Sequence, residues 1–134
     1  MKKVLVFGTF DILHEGHKYF LKKAKKHGNY LIVVIARDST VEKVKNKTPK
    51  NNENERLKNI QKLDFVDKAV LGNLEDKYSI IKKIKPDIIC LGYDQTYFTE
   101  NLENKLKEMR MECKIIRLKA YKPEIYKSSL INNK

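Results

Sequence analysis

Three runs of this chain are apolar at every position: Val4-Leu5-Val6-Phe7, Tyr30-Leu31-Ile32-Val33-Val34-Ile35-Ala36 and Ile88-Ile89-Cys90-Leu91. A strand with one face in water alternates apolar and polar residues, so an unbroken apolar run belongs to a strand covered on both faces. The segments between the runs supply the cover. Residues 18–26 place Tyr19, Phe20, Leu21 and Ala24 on one partly apolar face, with Gly28 just beyond as a helix stop. Residues 53–63 turn Leu57, Ile60 and Leu63 inward, with Arg56 in the first turn. Residues 78–84 turn Ile80, Ile81 and Ile84 inward and meet Pro86, while residues 99–110 do the same with Leu102, Leu106 and Met109. Residues 66–71 alternate and suit a strand nearer the sheet edge, and residues 113–118 form the last strand. Strand and helix alternate throughout without repeat or linker. The pattern predicts an α/β fold in one domain spanning residues 1–134, a parallel sheet of about five strands with helices on both faces.

In such a sheet ligands bind outside the carboxyl ends of the strands, where the strand order reverses. Three polar stretches fall at strand ends of that kind: residues 8–17, 36–50 and 92–96. The first, Gly8-Thr9-Phe10-Asp11-Ile12-Leu13-His14-Glu15-Gly16-His17, joins a strand end, a glycine-bearing turn, two histidines three residues apart and a helix start. A helix start presents N–H groups and partial positive charge, which suits phosphate. Imidazoles there can donate to a phosphoryl group as charge develops on it. Residues 37–54 are polar and poor in apolar side chains, with Lys43, Lys45, Lys47 and Lys50 around Pro49. They fit either a solvated mobile loop or a loop that closes over a triphosphate and neutralises it.

Other chemistries fit less well. His14 and His17 have no cysteine or carboxylate set at zinc-ligand spacing. No GxxxxGK[ST] phosphate loop occurs, and no GxGxxG turn follows the first strand. No serine or cysteine stands with a base and an orienting carboxylate. Cys90 and Cys113 are not a CxxC pair and are expected as buried reduced thiols. His27, before Gly28, suits the negative end of its helix. The formal net charge of +12 invites a nucleic-acid reading, and a basic nucleic-acid-binding module is the alternative from another class. Yet the lysines are spread over every expected helix and the aromatics form no stacking platform. No apolar run reaches the ~20 residues of a membrane span, and no signal-peptide pattern is visible, so the cytoplasm is the expected compartment.

Residues 8–17 resemble the GTFDxxHxGH signature of the cytidylyltransferase-like nucleotidyltransferases, and the likeness runs over essentially the whole chain. Within that superfamily, Ala36-Arg37-Asp38-Ser39-Thr40-Val41, Leu91-Gly92-Tyr93-Asp94-Gln95-Thr96 and the segment with Tyr121-Lys122 and Ser128-Ser129 are most similar to archaeal-type FAD synthetases. The resemblance implies a Rossmann-like sheet and transfer of a nucleotidyl group from a nucleoside triphosphate to a phosphate monoester, with release of pyrophosphate. It implies attack on the α-phosphorus in line, without a covalent enzyme intermediate. His14 and His17 would donate to the phosphate oxygens. Thr9, Phe10, Glu15 and Gly16 would line the nucleotide, and Asp11 would help position the phosphates with a divalent cation, magnesium being the expected ion. Lys45 would reach the triphosphate, with Lys43 or Lys47 in reserve. Asp94 would meet the base or ribose, Tyr121 would contact the nucleotide, and Ser128 and Ser129 would cap the triphosphate from the last short helix.

The same resemblance names ATP or CTP as the donor and FMN as the leading acceptor, with glycerol 3-phosphate or a sugar phosphate as the alternative and a homodimer as a common assembly. The chain also departs from the family pattern. Glu15 stands where a proline or tryptophan is common, Tyr93 where a small residue is frequent, and Asp64 where glycerol-phosphate enzymes tend to carry an arginine. The last departure tilts the acceptor away from glycerol 3-phosphate.

Overall fold

The structure is a computed structural model, and it describes residues 1–45, 48–72, 77–92 and 102–118. Among them the chain order is β1 (Lys3–Gly8), α1 (Glu15–Lys25), β2 (Tyr30–Ile35), α2 (Asp38–Lys45), α3 (Glu53–Gln61), β3 (Lys68–Leu71), α4 (Lys77–Ile84), β4 (Ile88–Leu91), α5 (Leu102–Glu108) and β5 (Lys114–Arg117). The five strands form one parallel sheet in the order β3-β2-β1-β4-β5. The wholly apolar runs are its three inner strands, and the alternating run is the β3 edge, as the patterning requires.

Side chains of one strand point alternately to the two faces, and two cores result. Val4, Val6, Leu31 and Val33 meet Leu21 and Ala24 of α1 and Ile60 of α3. Leu5, Phe7, Ile32, Val34 and Ile89 meet Ile81 of α4 and Leu102 and Leu106 of α5. Helices therefore cover both faces. In register, β1 lies between β2 and β4, with Val4 opposite both Leu31 and Ile88 and Val6 opposite both Val33 and Cys90. The order reverses between β1 and β4, which puts the carboxyl end of β1 at the switch point.

Two expectations need correction. Residues 37–54 are not all loop, because α2 occupies Asp38–Lys45. Its first turn is held from outside: the Asp38 N–H donates to Glu53 Oε1 at 2.9 Å, and Val41 is buried against the body of the protein. The second correction concerns α1, which starts at Glu15 rather than at residue 18, so Gly16 and His17 are helical. Cys90 is fully buried, which pushes its thiol up to about 12, with Cys113 adding to the effect. Cys113 is only partly buried, and burial with the nearby Asp87 carboxylate pushes it up to about 11. Neither thiol is a nucleophile at neutral pH. Among the described residues no helix is long and apolar enough to cross a membrane.

Candidate active site

The turn between β1 and α1 is built on a close approach. Gly8 ends β1, and the Phe10 ring lies directly over it, so a Cβ at position 8 would come within 2.6 Å of Phe10 Cζ. Phe10 itself is buried and adopts φ +50°, the left-handed region that costs a non-glycine residue roughly 1–2 kcal/mol. The buried ring packs in a T-shaped contact with His17, centroids 5.4 Å apart and planes at 78°.

His14 caps α1. Its backbone is extended at φ −141° and ψ 177°, and its Nδ1 accepts from the Gly16 N–H at 3.0 Å. An accepting Nδ1 carries no proton, so the neutral ring is assigned its proton on Nε2, where it is a donor. Partial burial lowers the His14 pKa below its ordinary value, against a smaller opposing pull from Glu15. Both observations favour the neutral ring. His14 and His17 are stacked, centroids 3.8 Å apart and planes within 23°. The motif spacing explains this: residues three apart at a helix start share one face. Glu15 turns outward beside Lys18, 3.8 Å away and two-thirds exposed, so its carboxylate extends into solvent.

Asp11 has work of its own. Its two carboxylate oxygens accept the backbone N–H groups of Lys50 and Asn51, each at 2.8 Å, and the Asn51 side-chain amide donates to the Asp11 carbonyl. The residue expected to face phosphates thus anchors the segment just before α3. That segment continues into a capping box, in which Asn52 Oδ1 accepts from the Glu55 N–H at 2.9 Å and Glu55 reaches back to the Asn52 N–H.

Beneath the turn lies Arg56, which sequence reasoning noted only as a first-turn residue. It is wholly buried, and its guanidinium donates to the carbonyls of Thr9 and Asn51 and to the carboxylate of Asp38. A signal was present in the chain, since position 56 lies four residues before the inward Ile60 and so on the buried stripe of α3. Arg37 extends the network, donating to the Gly72 carbonyl at 2.8 Å and to Glu53 at 3.0 Å.

Of the residues expected at the site, the structure brings Thr9, Phe10, Asp11, His14, Gly16 and His17 together at the carboxyl end of β1. Lys43 is exposed on α2, and Lys45 closes that helix. Lys47, Tyr93, Asp94, Tyr121, Ser128 and Ser129 lie outside the described residues. What this arrangement can do is bind phosphate at a helix start and donate hydrogen bonds to it from uncharged imidazole. The turn holds no serine or cysteine beside a base.

Comparison with known proteins agrees with this chemistry. A model of the cytidylyltransferase-like family matches residues 5–134. An FAD synthase of Aciduliprofundum boonei is 46% identical over 121 residues, covering 90% of this chain and 80% of the relative. An FAD synthase of Thermoplasma acidophilum is 40% identical over 134 residues, covering 100% of this chain and 94% of the relative. A crystal structure described as a lipopolysaccharide core biosynthesis protein from Thermoplasma volcanium superposes with a TM-score of 0.86 at 44% identity, over 90% of this chain and 98% of that one. A pantoate-beta-alanine ligase from Francisella tularensis reaches a TM-score of 0.64 at 19% identity, over 90% of this chain and 60% of that one, and shares the fold alone.

Proposed function

The chain belongs to the cytidylyltransferase-like family and is a nucleotidyltransferase, and we propose that it adenylylates FMN with ATP to give FAD and pyrophosphate. What carries the proposal is identity of 40–48% to several FAD synthases over most of the chain.

In this reaction an FMN phosphate oxygen attacks the α-phosphorus of ATP in line. The new P–O bond forms as the bond to the β-phosphate bridging oxygen breaks, and the electron pair leaves on pyrophosphate. The protein's task is positioning and charge stabilisation. His14, through Nε2–H, and His17 beside it donate to the non-bridging oxygens, where charge grows at the positive end of α1. Thr9, Phe10 and Gly16 shape the floor of the site. Lys43 and Lys45 supply cationic charge from α2. By the family resemblance, Asp94 is assigned to the base or ribose, Tyr121 to the nucleotide, and Ser128 and Ser129 to the triphosphate.

Among the described residues no group of three or more His, Cys, Asp or Glu side chains could cage a metal ion. Magnesium commonly arrives on substrate phosphates with few protein ligands, so an ion carried in on ATP would need few of this chain's residues. Bound that way, it would neutralise charge on the triphosphate. Asp11, whose two oxygens each accept a backbone N–H, is then an anchor for the 50–51 segment before it is a metal ligand.

A second reading is a cytidylyltransferase acting on glycerol 3-phosphate or a sugar phosphate, kept in view because the Thermoplasma volcanium structure is described as a lipopolysaccharide core biosynthesis protein. A matrix of four nucleoside triphosphates against FMN, glycerol 3-phosphate and sugar phosphates, followed by pyrophosphate release, separates the two. Turnover is expected for ATP with FMN. A CMP ester formed from CTP and a polyol or sugar phosphate, with FMN untouched, would overturn the flavin assignment and leave the nucleotidyl chemistry standing.

A further inference from the structure

Arg56 has no accessible surface, although it lies directly under the motif turn. A buried guanidinium is costly unless its donors are engaged, and here three of them reach three different segments. Nε donates to the Asn51 carbonyl at 3.0 Å, one Nη to the Thr9 carbonyl at 2.9 Å and the other to Asp38 Oδ1 at 2.7 Å. Thr9 begins the turn from β1 to α1, Asp38 begins α2, and Asn51 precedes α3. Asn51 is bound in turn to Asp11 of the motif. A closed circuit follows: Thr9 to Arg56, Arg56 to Asn51, Asn51 to Asp11, and Asp11 back along the chain to Thr9. The two ends of the lysine-bearing stretch, Asp38 and Asn51, meet on the same guanidinium.

The bond to Thr9 has a specific consequence. The Thr9 carbonyl lies in the peptide plane that leads into Phe10, and Phe10 is held at φ +50°. Fixing that plane fixes the strained residue whose ring edge abuts His17, and His17 stacks on His14. We propose that Arg56 is a positioning residue for nucleotidyl transfer. It never touches substrate; from beneath the site it sets the Thr9–Phe10 peptide, and through it the histidine pair, in register with the lysine-bearing segment. The kinetic half of this proposal rests on the nucleotidyl-transfer reading above, whereas the structural half does not.

The test compares Arg56→Lys, Arg56→Gln and Asp38→Asn with the wild-type full chain by two readouts. The first is imidazole 15N–1H NMR. The wild type should show His14 as a single tautomer protonated on Nε2, and both Arg56 variants should show mixed tautomers and displaced His17 shifts while melting cooperatively. The second is steady-state kinetics with whichever donor and acceptor the wild type uses. Misplacement of catalytic groups by about 1 Å can cost about 10²-fold, so kcat should fall by about that factor in Arg56→Gln with KM for the triphosphate changed by less than about threefold. Arg56→Lys should recover part of the loss, because an ammonium can reach one carbonyl but cannot span three diverging acceptors. Variants that melt lower yet keep wild-type kcat and the single His14 tautomer would reduce Arg56 to an ordinary buried ion pair and overturn the proposal. If Arg56→Gln does not fold, Arg56→Lys and Asp38→Asn decide it. If the wild type turns over no substrate pair, the enzymatic assignment fails, and the NMR readout still decides the coupling.

Discussion

At the scale of single residues, the proposed function assigns His14 two tasks, one on each ring nitrogen. Nδ1 caps α1 by accepting from the Gly16 N–H, and Nε2 is the nitrogen assigned to phosphate. Protonating Nδ1 would break the cap, so the lowered pKa of the folded state preserves the helix start as well as the donor tautomer. The pH dependence follows. Between the lowered folded value and the ordinary value of about 6.5, the unfolded chain binds a proton that the folded chain does not, so stability from this group rises with pH. It is fully present above about 6.5 and is lost as pH falls through that window. Asparagine at position 14 can place an oxygen near the Nδ1 position and is a good helix cap, but it has no counterpart to Nε2–H. His14→Asn should therefore lose about 10²–10³-fold in kcat, the usual cost of one transition-state donor. Its urea midpoint should lack the wild type's additional rise with pH below about 6.5. A variant that keeps full turnover would show that Nε2 is not the donor.

Among elements, the inner strands and the motif turn were legible in the chain, while α2 and the polar network were not, and the physical reasons differ. Inner strands declare themselves because both faces are buried and every position is apolar, as in β2 with Leu31 to Ile35 all buried. The histidine pair declares itself through spacing. By contrast α2 buries Val41 as its anchor and takes its first-turn cap from Glu53, fifteen residues onward, a contact that no local pattern announces. Arg56 escaped notice for the same reason, since its three acceptors lie as far as 47 residues away in sequence. The motif turn makes a testable case of this local legibility. Gly8 is required by the ring of Phe10 rather than by its own backbone angles. Gly8→Ala should cost about 1–3 kcal/mol in urea unfolding by overpacking. Adding Phe10→Leu should restore part of that stability without restoring turnover, because the edge contact to His17 is gone. Recovery of both would disconnect the Phe10 ring from catalysis.

For the whole molecule, the question is whether the +12 charge acts at the site or only keeps the surface solvated. Distance decides much of it. The site is at the start of α1, whereas Lys22, Lys23 and Lys26 are at its far end, and an eleven-residue helix is about 16 Å long. That exceeds the screening length of about 8 Å at physiological ionic strength, so those lysines should contribute little to capture of a triphosphate. The proposed function assigns Lys43 and Lys45 of α2 to the triphosphate, so those two should contribute more. With the anionic donor, kcat/KM should fall by about tenfold as salt rises from 0.05 to 0.5 M, while kcat changes little, since screening weakens encounter more than a closed-site contact. Replacing Lys22, Lys23 and Lys26 together with glutamine should leave that salt slope intact despite lowering the net charge by three. Replacing Lys43 and Lys45 should flatten it. Equal flattening by both sets would mean that the net charge acts as a whole, and the lysines of α2 would lose their assigned place at the triphosphate.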